Sequence, residues 1–135
     1  MSKQLITLLA GAGLFVCGQA MAADGISKDA YKAEKDSISA TYKADKEKCS
    51  SLKGNAKDVC EAEAKGNEKA AKAEAEAKYK NTASARRDAR KARVEADYKI
   101  AKEKCDDLSG DQKSACIKEA KAAEAKGKAD LKNVS

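Results

Sequence analysis

The chain has 135 residues, and its 28 Lys and Arg against 22 Asp and Glu give a formal net charge of +6. Only 4% of the residues are aromatic and large aliphatic side chains are scarce, so the composition excludes a conventional hydrophobic core. Because Ala, Lys and Glu are strong helix formers and Pro is absent, we expect helix throughout with little burial. The absence of His and of any convergent catalytic set predicts no enzymatic activity and no cofactor.

Residues 1–22 have the three parts of a secretory signal peptide. Lys3 supplies the positive charge, an apolar segment runs from Leu5 to Val16, and Ala20-Met21-Ala22 forms the cleavage site. The exported chain is expected to begin at Ala23 and has no other apolar segment long enough to span a bilayer. We therefore predict a periplasmic protein without a transmembrane segment in its mature form.

The first helix is expected to begin after Ser27, a suitable N-cap, and to end at Gly54. Its apolar side chains are spaced by seven, four, seven and three residues and lie within an arc of roughly 80°. They are Tyr31, Ile38, Tyr42, Cys49 and Leu52. Gly54 has the position of a helix-ending residue with positive φ, and Asn55 that of the next N-cap. Gly110 and Asp111 repeat this pair, so both turns are predicted to be tight helical hairpins.

Three further helices follow, from about Ala56 to Tyr79, Ala85 to Leu108 and Gln112 to Lys132. The polar residues 81–84 form either a linker with Ser84 as N-cap or a weak place in one long helix covering 56–108. The domain division is therefore a first hairpin repeat at 23–80, a linker at 81–84 and a second hairpin repeat at 85–135.

A motif that occurs twice shows that the two hairpins are repeats of one unit. Lys48 to Cys60 reads KCSSLKGNAKDVC and Lys104 to Cys116 reads KCDDLSGDQKSAC, so Cys, Leu, Gly, Lys and Cys recur at the same spacing. The third helix repeats the first 56 residues later: Val94, Tyr98, Cys105 and Leu108 correspond to Ile38, Tyr42, Cys49 and Leu52.

The four cysteines of the exported chain are predicted to form two disulfides. With a turn at each glycine, Cys49 faces Cys60 and Cys105 faces Cys116 across their hairpins. Cross-linking between hairpins is the alternative pairing. Each closed loop of about a dozen residues is expected to contribute roughly 2.5–3 kcal/mol to stability. A thiol-redox role or metal buffering by the same cysteines is a further hypothesis, although no His or Met is available as a partner ligand in the exported chain.

All four arginines of the chain lie in one short segment that is a candidate anion-binding site. Arg86, Arg90 and Arg93 share one helical face, and Arg87 and Lys91 add to the charge. Phosphate-rich or carboxylate-rich polymers of the cell envelope, or lipid headgroups, are the expected ligands. Nucleic acid is not expected, because an exported chain without a stacking platform is poorly suited to it.

The signal peptide, the sequence YKAEKD from Tyr31 and the paired motif KCxxLxGxxKxxC resemble a family of small exported, Ala/Lys/Glu-rich envelope proteins of Gram-negative bacteria, some of them labelled TolA-like. The resemblance covers nearly the whole exported chain. It implies an envelope location and carries no activity and no functional residues.

The sequence thus predicts an all-α protein of two tandem disulfide-stapled helical hairpins. They form either a loose four-helix bundle or an elongated, coiled-coil-like arrangement. The expected function is that of a non-catalytic periplasmic envelope or stress-associated protein that acts by surface contact with envelope polymers or proteins. Self-association through exposed alanine stripes is left open.

Overall fold

A computed structural model describes residues 25–133, so the expected signal peptide lies outside the described residues. Within this range the chain forms four α-helices and a final 3-10 turn, without any β-strand. They are α1 (Lys28–Ser50), α2 (Gly54–Lys80), α3 (Ala83–Cys105), α4 (Gly110–Asp130) and the 3-10 turn Leu131–Asn133. Disulfides join Cys49 to Cys60 and Cys105 to Cys116. The predicted fold class and both predicted pairings are confirmed.

The helices lie in an antiparallel row that follows the order of the chain. Helix α1 packs on α2 and α4 packs on α3, while the most extensive interface joins α2 to α3. Among the described residues, α1 makes no helix contact beyond α2, and α4 makes none beyond α3. Both disulfide turns therefore lie at one end of the row, and the α2–α3 turn lies at the other.

The α2–α3 interface is built from small side chains, and we call it the alanine seam. The residues of the seam recur at spacings of three and four along each helix, as in a heptad. They are Gly66, Ala70, Ala73 and Ala77 on α2, and Ala85, Ala89, Ala92 and Ala96 on α3. The approach is close: a methyl group at Gly66 would lie 3.1 Å from the Cβ atom of Ala96 and 3.3 Å from the Cδ1 atom of Ile100.

The two outer helices bury much less than the inner pair. The one buried residue of α1 is Cys49, and the one buried residue of α4 is Ala120. The apolar stripe expected on α1 is only partly covered, because Tyr31, Ile38 and Tyr42 are half-buried and Leu52 is 39% exposed. Each outer helix is thus attached along one edge and fastened by its disulfide.

The first helix ends at Ser50, before Gly54. Helix α1 stops at Ser50, where the hydroxyls of Ser50 and Ser51 donate to the carbonyls of Glu47 and Lys48 and so satisfy groups at the helix end. Gly54 does adopt the expected positive φ of 57°, but as the first residue of α2. The prediction that Gly54 ends the helix is therefore wrong, as is that of Asn55 as N-cap, since Lys53 holds that position.

The second disulfide turn has the same geometry. Helix α3 ends at Cys105, Ser109 is the N-cap of α4, and Gly110 begins that helix with a φ of 55°. Asp111 is not the N-cap, but it lies in the first turn of α4, where its negative charge suits the positive end of the helix dipole.

The turn between α2 and α3 settles whether the centre of the chain is one helix or two. Asn81 ends α2 in the left-handed conformation (φ 48°), which Asn tolerates better than most residues. Thr82 is the N-cap of α3, and its hydroxyl accepts a hydrogen bond from the Ala85 N–H at 3.1 Å. The chain therefore forms two helices, with Thr82 in the capping role that was expected for Ser84.

The fit of α4 against α3 depends on the absence of a side chain at Gly127. A Cβ atom there would lie 2.7 Å and 2.9 Å from the two γ-methyl carbons of Val94. The structure predicts that Gly127→Ala lowers the melting temperature, although alanine favours a helix by about 1 kcal/mol over glycine. In a Val94→Ala background the clash is gone, so the same substitution should raise the melting temperature. Thermal melts of the four proteins of this cycle test the contact, and a stabilising Gly127→Ala in the parent chain would contradict it.

Candidate functional site

The cysteines have the geometry of structural staples. The Cα atoms of Cys49 and Cys60 are 5.5 Å apart, and those of Cys105 and Cys116 are 5.7 Å apart, both ordinary disulfide separations. Cys49 and Cys105 are completely buried, whereas their partners Cys60 and Cys116 are half-buried. Two such disulfides indicate an oxidising compartment. Between residues 25 and 133, no group of three or more His, Cys, Asp and Glu is arranged to hold a metal ion.

The candidate anion-binding residues lie in the first three turns of α3, and the structure gives them different roles. Arg93 is half-buried and reaches α2, where its guanidinium donates to Glu74 at 3.0 Å and to Asn67 at 3.2 Å. It therefore acts mainly as a clamp between the inner helices. Arg86 is exposed and donates to the side-chain oxygen of Asn81 at 3.0 Å. Arg87 is also exposed.

Arg90 and Lys91 are exposed and make no ion pair within the described residues. The first turn of α3 contains no acidic residue. The positive end of the helix dipole disfavours cations within the first turn, so this effect concerns Arg86 and not Arg90 or Lys91. Arg90 and Lys91 are thus exposed cations on the surface of α3 without an ion pair in the described chain.

Contacts between the helices define which residues lie at the same height in the row. Tyr31 contacts Tyr79, Gly66 lies against Ala96, and Gly127 lies against Val94. This register divides the described chain into two halves. We call the half that contains the α2–α3 turn the cationic end; it comprises residues 25–41, 68–94 and 127–133.

The net charge of the described chain resides entirely in the cationic end. That half contains 14 Lys and Arg against 8 Asp and Glu, a net charge of +6. The half with the disulfides contains 13 of each sign and is neutral. The arginine segment supplies most of the excess. The sequence alone identified that segment, but the polarity of the whole molecule becomes visible only once the register of the helices is known.

A pair of stacked tyrosines lies at the tip of the cationic end. The rings of Tyr31 and Tyr79 are nearly parallel, 7° apart in orientation, with centroids separated by 4.7 Å. The Lys35 ammonium lies 5.3 Å from the centroid of the Tyr31 ring. The sequence placed Tyr31 on the apolar stripe of the first helix but did not pair it with Tyr79, because 48 residues separate them.

A groove with a volume of about 580 Å³ runs between α2 and α3 on the side of Lys65 and Lys69. Its walls carry four lysines and four carboxylates. A hydrogen bond from Lys69 lowers the pKa of Glu95, and a hydrogen bond from Lys46 lowers the pKa of Glu61. Both shifts favour the ionised form. Neither carboxyl is therefore protonated at neutral pH, as a general acid would have to be.

Comparison with protein-family models, with curated proteins and with solved structures finds no match to this chain. No helix between residues 25 and 133 combines the length and apolar character needed to cross a membrane.

The ion pair between Lys69 and Glu95 joins α2 to α3 at 2.7 Å and should make stability depend on acid pH. The pKa of Glu95 is lower in the folded protein than in the unfolded chain, so its contribution is present above the ordinary glutamate pKa of about 4.3. That contribution is lost as the pH falls through the lower, folded-state pKa. Glu95→Gln should therefore reduce the acid-induced fall in melting temperature.

The matched control for this substitution is Glu119→Gln, because Glu119 is exposed on α4 and makes no ion pair within the described chain. The control should leave the acid limb of the melting-temperature profile unchanged. Identical profiles for Glu95→Gln and the parent would contradict the assigned role of the ion pair.

Proposed function

We propose that this is a non-catalytic helical protein of the periplasm that acts by surface contact, and that its cationic end binds the anionic groups of the cell envelope. The observation that carries the proposal is the charge polarity of the molecule, +6 in one half and zero in the other. Phosphate and carboxylate groups on envelope lipids or polymers present the complementary charge.

The clustering of cations in the arginine segment favours binding at this end over a weak attraction spread across the whole surface. At physiological ionic strength the Debye length is about 8 Å, so cations act together only when they lie near one another. The arginine segment places five cations within eight residues, from Arg86 to Arg93. Guanidinium groups also bind phosphate and carboxylate in a bidentate manner, which suits Arg86 and Arg90 at the surface.

Two further observations favour binding through the surface over a catalytic or thiol-redox function. The two carboxyls with shifted pKa values in the groove between α2 and α3 are held ionised, and the four described cysteines are paired in disulfides. A thiol-redox function would need an accessible sulfur with a depressed pKa. These features fit a rigid body that presents a surface.

Export to the periplasm is supported by two independent features. The first is the signal-peptide pattern of residues 1–22 with its Ala20-Met21-Ala22 cleavage motif. The second is the pair of disulfides, which require an oxidising compartment to form and persist. The resemblance to small Ala/Lys/Glu-rich envelope proteins points in the same direction.

Removing three cations from the arginine segment tests the proposal. We expect Arg86→Gln/Arg90→Gln/Lys91→Gln to weaken binding to vesicles containing phosphatidylglycerol and to dextran sulfate. At about 1 kcal/mol for each cation near an anionic surface, the loss is on the order of 100-fold at low salt. Binding by the parent chain should also fall as salt is raised. Co-sedimentation and titration measure both effects.

The matched control removes the same number of exposed cations from the neutral half, as Lys99→Gln/Lys118→Gln/Lys121→Gln. Its net charge equals that of the test variant, and it should retain most of the binding. Equal losses in the two variants would contradict the proposal, because net charge alone would then explain binding. Absence of binding by the parent chain to both probes at low salt would also contradict it.

A further inference from the structure

An aromatic ring is exposed to solvent at the tip of the cationic end. Tyr79 is 39% exposed, while its stacking partner Tyr31 is half-buried and has the Lys35 ammonium nearby. Tyr79 is the penultimate residue of α2, next to the α2–α3 turn, and lies beside the first turns of α1. A ring with an apolar body and a polar hydroxyl is suited to the boundary between water and lipid.

The backbone holds this ring pair in a fixed position. The Ile26 N–H donates to the Lys78 carbonyl at 3.1 Å, which satisfies one of the last carbonyls of α2. The fit is tight at the preceding residue, because a methyl group at Gly25 would overlap the carbonyl oxygen of Tyr79. The segment before α1 therefore fastens the start of α1 to the end of α2, and the ring lies on a rigid helix end.

Exposed cations lie on the two helices that flank the end of α2 at this tip. Lys28 and Lys32 in the first turns of α1 are exposed and make no ion pair within residues 25–133. Arg86, which is exposed in the first turn of α3, lies on the other side of the α2–α3 turn. The tip thus combines an exposed amphipathic ring with cations from two helices, which is the combination that anchors proteins at anionic lipid surfaces.

We propose that the protein docks end-on to an anionic lipid bilayer, with the Tyr79 ring at the level of the headgroups and with Lys28, Lys32 and Arg86 against lipid phosphates. This rests on the proposed function and names the partner of the cationic end. A soluble polyanion would neutralise the same cations but would leave the ring in water. A bilayer takes up both the charge and the apolar surface, so the arrangement favours lipid.

The other end of the molecule provides a control of equal exposure. Leu108 is 38% exposed in the second disulfide turn, against 39% for Tyr79, but its half of the molecule carries no net charge. The chain contains no Trp, so a single introduced Trp reports on one position only. We therefore compare Tyr79→Trp with Leu108→Trp in the form beginning at Ala23. The probes are phosphatidylcholine vesicles with and without phosphatidylglycerol, and dextran sulfate.

End-on docking predicts that the emission of the Tyr79→Trp variant shifts to shorter wavelength, and is quenched by brominated lipid, only with the anionic vesicles. The Leu108→Trp variant should co-sediment equally well without any shift. A shift in Leu108→Trp alone, or in neither variant despite co-sedimentation, would overturn end-on docking and leave the proposed function intact. Binding to dextran sulfate but not to vesicles would overturn a lipid partner, and binding to neither would overturn both proposals.

A second variant keeps the test decisive if tryptophan disturbs the stacked pair. Tyr79→Ser should reduce affinity for the anionic vesicles by a larger factor than affinity for dextran sulfate, because the ring is removed from water only when the chain binds a bilayer. Equal factors for the two probes would overturn the assigned role of Tyr79. Circular dichroism of each variant checks that the helices are retained.

Discussion

The close approach of α2 and α3 through the alanine seam is the interaction on which the rest of the structure depends. A chain with so few large apolar residues gains little from any single buried side chain, roughly 0.8 kcal/mol for each methylene-sized group. Small side chains compensate because they lose no rotamer freedom on burial and let two backbones pack along their whole length. Ala70 of the seam is completely buried, which no residue of α4 is. The inner pair is therefore the body to which each outer helix is attached.

Comparison of the two repeats explains why two helices lie inside and two lie outside. At the positions of Ala85 and Ala92 on α3, the first repeat has Asp29 and Asp36 on α1. Aspartate cannot be buried in a seam without a partner, so only the second copy of this helix can pack on α2 as well as on its own hairpin partner. Likewise, Lys126 on α4 replaces Ala70 of α2. The duplicated unit thus diverged at the positions that decide its place in the row.

Much of the fold could be predicted from the sequence because it depends on local rules. Composition indicated helix, and a glycine between cysteines eleven residues apart indicated a hairpin closed by a disulfide. The exact turn could not be predicted, because a glycine with positive φ fits either the end of one helix or the start of the next, and here Gly54 and Gly110 begin α2 and α4. The packing of α3 on α2 depends on the alanines at positions 85 and 92. The two repeats differ there, but alanine is so common in this chain that these positions do not stand out in the sequence.

The candidate site was predictable only in part, for a related reason. A run such as Arg86 to Arg93 is visible in any sequence, whereas the clamp formed by Arg93 with Glu74 requires the register between helices. The Tyr31–Tyr79 stack and the neutral half opposite it depend on that register too. The proposed function therefore rests less on a motif than on the register of the helices, which places all four arginines and the smaller share of carboxylates, 8 against 13, in one half.

Hydrogen exchange of the oxidised and the reduced protein, resolved by helix, tests the central claim most directly. If the alanine seam holds the inner pair and the disulfides fasten the outer helices, reduction should strip amide protection from α1 and α4 while α2 and α3 retain most of theirs. Equal loss of protection in all four helices, or unchanged protection in α1 and α4, would contradict the account.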